Sequence, residues 1–187
     1  MRSILVVAAM SLICVFGVSA QQRNIDTQKS TLTIRVGKTG AFSPVGHEHE
    51  IHAPVHSGSA DTGAHPAVEI HVNARELKVT DKDASEKERA EVQKTMLGPE
   101  VLDSEGHQEI VFKSTGAESV GQGRWTLHGN LTLRGQTRPV SVQVTLKDGR
   151  YTGETTVKQT DFGITPPGKA GVRAKDEVKI EFDVRLT

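Results

Sequence analysis

Apolar residues recur at every second position over most of this chain, the spacing that places them on one face of a β-strand. Leu32, Ile34 and Val36 alternate with Thr31, Thr33 and Arg35. Val68, Ile70, Val72 and Ala74 alternate with Glu69, His71 and Asn73. Ile110 and Phe112 repeat the pattern, as do Trp125 and Leu127, then Leu131 and Leu133 beyond Gly129. Val140, Val142, Val144 and Leu146 form another stripe, and Val178, Ile180, Phe182, Val184 and Leu186 a last one. Between Tyr151 and Lys158 the alternation is weaker and rich in threonine. Strands with one apolar face pair antiparallel, with the other face wet. Asp148-Gly149 and Gly135-Gln136 read as hairpin turns between them. About eight strands result, enough to close a barrel around side chains or one small ligand. Closure also removes exposed sheet edges.

Residues 83–97 break the period. They are rich in Glu, Lys, Arg, Ala and Gln, which favour helix. Asp83 with Glu86 fits a capping box, Val92 and Met96 share a face, and Gly98-Pro99 ends the segment. The expected fold is therefore all-β: an antiparallel barrel of about eight strands with one helical insertion.

The first twenty residues stand outside this pattern. Arg2 precedes an apolar run over residues 4–18, and Val18-Ser19-Ala20 presents small residues at its end. The run is shorter than the roughly 20 residues of a spanning helix. This is the pattern of a secretory signal, residues 1–20, cleaved near Ala20. A domain over residues 21–187 follows, expected to be periplasmic or secreted and without a membrane span. Cys14 leaves with the signal, and bulky Leu12-Ile13 before it speak against a lipoprotein anchor. The domain then has no cysteine, hence no disulfide and no thiol nucleophile. Loss of Arg2 leaves 22 Lys and Arg against 23 Asp and Glu. That balance lacks the basic face of a nucleic-acid binder.

Candidate chemistry concentrates in His47, His49, His52 and His56. On a strand His47 and His49 face the same way, as two imidazole ligands of a metal would. Ala53-Pro54 occupy the place where a cupin-like motif carries its glutamate, and no later segment completes that motif. A polar rim at the barrel mouth is the competing reading. No Gly-x-Ser-x-Gly elbow and no phosphate-cradling glycine loop is present. The apolar stripes also have two readings. They either fill the barrel or line a cavity, and their medium aliphatic side chains lean toward the cavity. With seven aromatic residues in all, Phe16 among them in the signal, the stripes are Val, Leu and Ile.

Several motifs resemble one family. Ile25-Asp26 followed by Ser30 and a strand to Val36 resembles the opening of the YceI-like proteins, lipid- and polyisoprenoid-binding proteins of the bacterial periplasm. Residues 97–103 and Ile110-Val111-Phe112-Lys113-Ser114 resemble a later stretch. Gly129-Asn130-Leu131-Thr132-Leu133-Arg134-Gly135, continuing to Pro139-Val140, is similar to the family's most specific signature. Asp161-Phe162-Gly163-Ile164 and the closing strand match as well, so the likeness covers residues 24–187. It implies a lipocalin-like, extended barrel with an apolar tunnel for an isoprenoid or another long-chain amphiphile, and no catalysis. The inward positions expected to touch that lipid are Leu32, Ile34, Val36, Phe42, Ile70, Val72, Phe112, Leu127, Leu131, Leu133, Val142, Val144, Phe162, Ile180 and Phe182. No cofactor is expected. A metal-binding protein centred on His47 and His49, or a filled barrel acting as a structural or stress-response module, are the alternatives.

Overall fold

The computed structural model describes residues 22–41, 48–169 and 171–187. The segment read as a signal, and with it Phe42 and His47, lie outside the described residues. The strands are β1 (Gln22–Asn24), β2 (Thr31–Thr39), β3 (His49–Ala53), β4 (Ser57–Asp61), β5 (Ala67–Asn73), β6 (Lys78–Val79), β7 (Glu109–Gly121), β8 (Arg124–Leu133), β9 (Gln136–Lys147), β10 (Arg150–Lys158), β11 (Gly168–Lys169) and β12 (Val172–Arg185). The single α-helix, α1, spans Glu86–Leu97. All pairings are antiparallel.

Eleven of the twelve segments make eight wall positions, because three strands are interrupted; β11 pairs only with β12, off the wall. β1 and β2 are consecutive stretches of one strand, and both lie beside β12. The Asp26 carboxylate breaks them apart by accepting the N–H groups of Gln28 and Lys29. Pro54 lacks an N–H and falls between β3 and β4. A 3₁₀ turn, Ala74–Glu76, separates β5 from β6, with the Asn73 side chain accepting from Arg75 N. The ladder runs β1-β4-β5-β7-β8-β9-β10-β12. It then returns to β1 through the Ile25–Leu186 bridge, Asp26 N to Arg185 O, and Thr187 N to Asn24 O. Hydrogen bonds therefore run around the whole ring. Ser30, buried where β2 begins, fixes this seam by accepting from Arg185 N at 3.0 Å.

Turn chemistry sets the registers. Arg134 and Gly135 both have positive φ (50° and 68°), as do Asp148 and Gly149 (51° and 73°). Both pairs match the two-residue turns whose twist suits a hairpin. The first turn is centred one residue before the expected Gly135-Gln136. Helix α1 begins three residues later than expected. Its capping box is Ser85 with Glu88, because Asp83 still belongs to the loop and Ser85 takes the N-cap position.

The two ends of the barrel differ. At one end lie the β4–β5, β7–β8 and β9–β10 turns with the seam of β1 and β12. At the other, apolar residues from outside the sheet form a plug. Met96 of α1, Val101 and Leu102 after it, Leu77, and Phe162 and Ile164 of the β10–β11 connection are all buried in one cluster. Arg134 ties this plug together. Its guanidinium donates to Gly163 O at 2.5 Å and to Pro99 O at 2.7 Å. Replacing Arg134 by alanine removes two such bonds at about 1 kcal/mol each. The thermal midpoint is then expected to fall by roughly 4–8 °C for a chain of this size. An unchanged midpoint would show that the plug does not depend on this side chain.

Candidate ligand-binding cavity

Period-two alternation turns the apolar stripes of all eight wall positions inward. Side chains of this size do not meet at the axis. They surround a cavity of about 400 Å³, so the interior is hollow. Leu32, Ile34, Ile70, Val72, Phe112, Leu127, Leu131, Val142, Val144, Ile180 and Phe182 line it. Of the remaining expected positions, Val36 and Leu133 face the same side but sit at the plugged end, and Phe162 belongs to the plug itself. There Val36 and Leu133 pack against the cluster instead of the cavity. Phe42 lies outside the described residues.

Several lining residues were absent from that expectation. Val68, Ile110, Trp125, Leu146, Val184 and Leu186 belong to the same alternating stripes; Ile110 stands beside Val72 in the deep part, and the others extend the lining toward the open end. Ala53 and Leu77 are brought in by strand interruptions. Asp61, Thr62, Pro66 and Ala67, at the β4–β5 turn, form part of the rim with Tyr151. No alternation marks these last residues, because they curl over the end of the wall. Among the described residues, Asp61 and Thr62 are the only lining residues that are polar without an aromatic ring. The cavity is therefore a greasy chamber with its few polar groups at the mouth, the usual form of a small-molecule pocket.

Two glycines make room for the aromatic part of the lining. A Cβ on Gly129 would sit 2.6 Å from the Phe112 ring, and one on Gly153 would sit 2.6 Å from the Phe182 ring. Each ring thus crosses a neighbouring strand where no side chain stands.

On the outer face the charges pair. A ladder crosses four strands: Glu50 to Arg35 at 2.7 Å, Arg35 to Glu181 at 2.9 Å, Glu181 to Lys179 at 3.1 Å, and Lys179 to Glu154 at 2.7 Å. Hydrogen bonds from Arg35 and then Lys179 hold the Glu181 carboxyl below its ordinary range. Arg150 does the same for Asp183. On the opposite side, His71 touches Glu109 at 2.9 Å and Glu69 at 3.0 Å. Its hydrogen bond with Glu109, seconded by Glu69, raises the imidazole above its ordinary 6.5. A raised histidine stabilises the fold fully below the unfolded value and loses that contribution as pH climbs through the folded one. Stability carried by His71 is therefore expected to fade as pH rises from about 6 toward 8, by less than about 1 kcal/mol because the group is partly exposed. Denaturation midpoints for His71→Gln should lack that part of the pH dependence; identical profiles would refute it.

His49, His52 and His56 do not form the rim of the mouth. His49 opens β3 at the plugged end, where its Nδ1 lies 2.6 Å from Asp81 Oδ2. The Asp81 side chain is only 2% exposed and also accepts the Glu50 N–H at 2.6 Å. His49 shares its face with Ile51 and Ala53, whereas His52 lies on the outer face opposite Lys78 and His56 is exposed. Among the described residues, no three His, Cys, Asp or Glu side chains are grouped to hold a metal ion. Among those residues Val120, half exposed at the β7–β8 turn, is the one exposed large hydrophobic. The outer face accordingly has no apolar patch of the kind a structural interaction module would present.

A family model described as "YceI-like domain" matches residues 24–186. The chain belongs to the YceI-like family. A UPF0312 protein of Shewanella oneidensis is 28% identical to it over 166 residues, covering 82% of both chains. Among solved structures, BcnA of Burkholderia cenocepacia superposes with a TM-score of 0.66 at 18% identity, over 86% of this YceI-like chain and 98% of its own. A domain of Saccharophagus degradans described as polyisoprenoid-binding superposes with a TM-score of 0.56 at 11% identity, over 89% and 97%. These likenesses establish a shared barrel fold.

The family's motifs now have physical roles in this chain. Asp26 and Ser30 make the seam. Gly129, Leu131 and Arg134-Gly135 give, in order, room for Phe112, cavity wall, and the turn that latches the plug. Phe162 and Ile164 are the plug, with Gly163 between them in the left-handed conformation (φ 70°) that closes the short helix.

Proposed function

We propose that this protein binds an isoprenoid or similar long-chain amphiphile in the barrel, without chemistry, and carries or sequesters it outside the cytoplasm. The observation that carries the reading is the hollow, almost wholly apolar interior of a ring closed by hydrogen bonds. An empty chamber lined by aliphatic and aromatic groups favours an apolar chain by about 0.8 kcal/mol per buried methylene. Catalysis has no support in the cavity, where no nucleophile is paired with a base among the described residues. Residues 1–20 and the family assignment support export, and the name of the Saccharophagus domain supports the ligand class.

Trp125 is the only tryptophan in the chain and lines the cavity. Titration with a linear isoprenoid alcohol should therefore change its fluorescence saturably, at one ligand per chain. Val144→Asp, which puts a carboxylate into the wall, should weaken binding at least about tenfold while circular dichroism stays native. Mass spectrometry of extracts from natively purified protein should release the bound lipid. No fluorescence response together with repeatedly empty extracts would overturn the proposal.

A further inference from the structure

Among the described residues the cavity has a floor, and that floor sets a length. Leu146, Leu186 and Trp125 line it near the open turns, while Val72, Leu77, Ile110 and Leu131 line its deep part. Below them Phe162, 1% exposed, and Ile164 close the barrel in the same continuous cluster as Val72, Leu77 and Leu131. Arg134 holds those closing residues against the Pro99 loop. The plug belongs to the core of the fold and is latched by hydrogen bonds on both sides.

Volume and depth agree on what fits above it. A dry cavity of roughly 150 Å³ holds one benzene ring, so 400 Å³ holds on the order of 15 carbon atoms. Along β8 the lining runs from Trp125 to Leu131. Six steps of about 3.3 Å make about 20 Å of strand. At the usual barrel tilt of roughly 40°, that is about 15 Å of depth. This is half of the roughly 30 Å hydrocarbon core of a bilayer, the length of a single chain in one leaflet.

Resting on the binding function proposed above, we infer that the ligand is a single-chain amphiphile of about 15 carbons. It enters tail first and stops against the plug, with its head at the Asp61–Pro66 turn. A chain of some 40 carbons needs more than twice the available space. Val72, the deepest residue of β5 in the lining, is a length-determining position.

The test is a series of linear primary alcohols and linear isoprenoid alcohols, from about 8 to about 24 carbons, with Trp125 fluorescence giving each dissociation constant. Affinity should rise about fourfold per added methylene, break at about 15 carbons, and stay flat or fall beyond. Val72→Phe raises the floor without leaving a void and should move the break to shorter chains by two or more carbons. Affinity that keeps rising past about 20 carbons, or a break that ignores Val72→Phe, would overturn the length limit while leaving lipid binding intact. Failure of every alcohol to bind would overturn both the limit and the function beneath it.

Discussion

Phe162→Ala is expected to lower the free energy of unfolding by about 3–5 kcal/mol, the range for truncating a buried aromatic. Phe162 is the largest fully buried side chain among the described residues. It stands in the short helix Gln159–Phe162, which touches β9, β10 and β12. The cluster it belongs to draws on wall strands, loops and helix α1, so no single neighbour can shift to fill the space. The neighbouring Gln159 side chain donates to Lys175 O at 2.7 Å. Thr160 donates through its N–H and hydroxyl to Asp176 at 2.9 and 2.8 Å. These bonds hold the backbone in place, so the void persists. A thermal midpoint depressed by roughly 6–20 °C is the expected reading at 2–4 °C per kcal/mol. A loss under about 1 kcal/mol would show that the plug collapses around the gap and is not a rigid floor.

Gly153→Ala carries the second large effect, with the opposite physics. Gly153 pairs with Val144 of β9 and Phe182 of β12, in the middle of the wall. A Cβ there would overlap the Gln143 carbonyl oxygen and lie 2.6 Å from the Phe182 ring. The carbonyl belongs to the β9 backbone, so relief requires moving a strand and a ring together. Overpacking of this kind costs about 1–3 kcal/mol and sometimes more; the upper end is expected here. Gly149→Ala is the matched control. Nothing lies within 4 Å of its Cβ position, and its φ of 73° costs only local strain, about 1–2 kcal/mol. The ratio of the two losses, measured by urea denaturation, checks the argument. Equal losses would mean that the wall yields freely. Displacement of Phe182 into the cavity should also weaken ligand binding, which Gly149→Ala leaves alone.

The legible parts of this protein were those that repeat. Alternation marked the inward residues of β2, β5, β8, β9 and β12, and it marked Trp125 and Leu186 as plainly as Leu127 and Ile180. The Asp148-Gly149 turn was legible because positive φ at two successive residues restricts the choice of side chain. Helix α1 was legible from composition, although its cap belonged to Ser85 and not to Asp83. The place of the histidines was not legible, because a run of imidazoles along the chain does not say what each one meets across space. In the fold His49 turns to Asp81, thirty-two residues away in sequence, and His52 faces outward.

The sequence by itself determined the strand character, the inward set and the neutral, polar exterior, since each depends on a residue and its near neighbours. Only the tertiary structure decided where the wall ends and the floor begins. Val36 and Leu133 carry the same inward signal as Leu32 and Leu131. They differ only in what reaches them across space. The plug is assembled from residues 77, 96, 101, 102, 162 and 164, and no local pattern encodes that meeting. The hollow follows for the same reason. Whether eight apolar faces touch or leave 400 Å³ between them depends on strand tilt and ring circumference, which are properties of the closed sheet and of no strand alone.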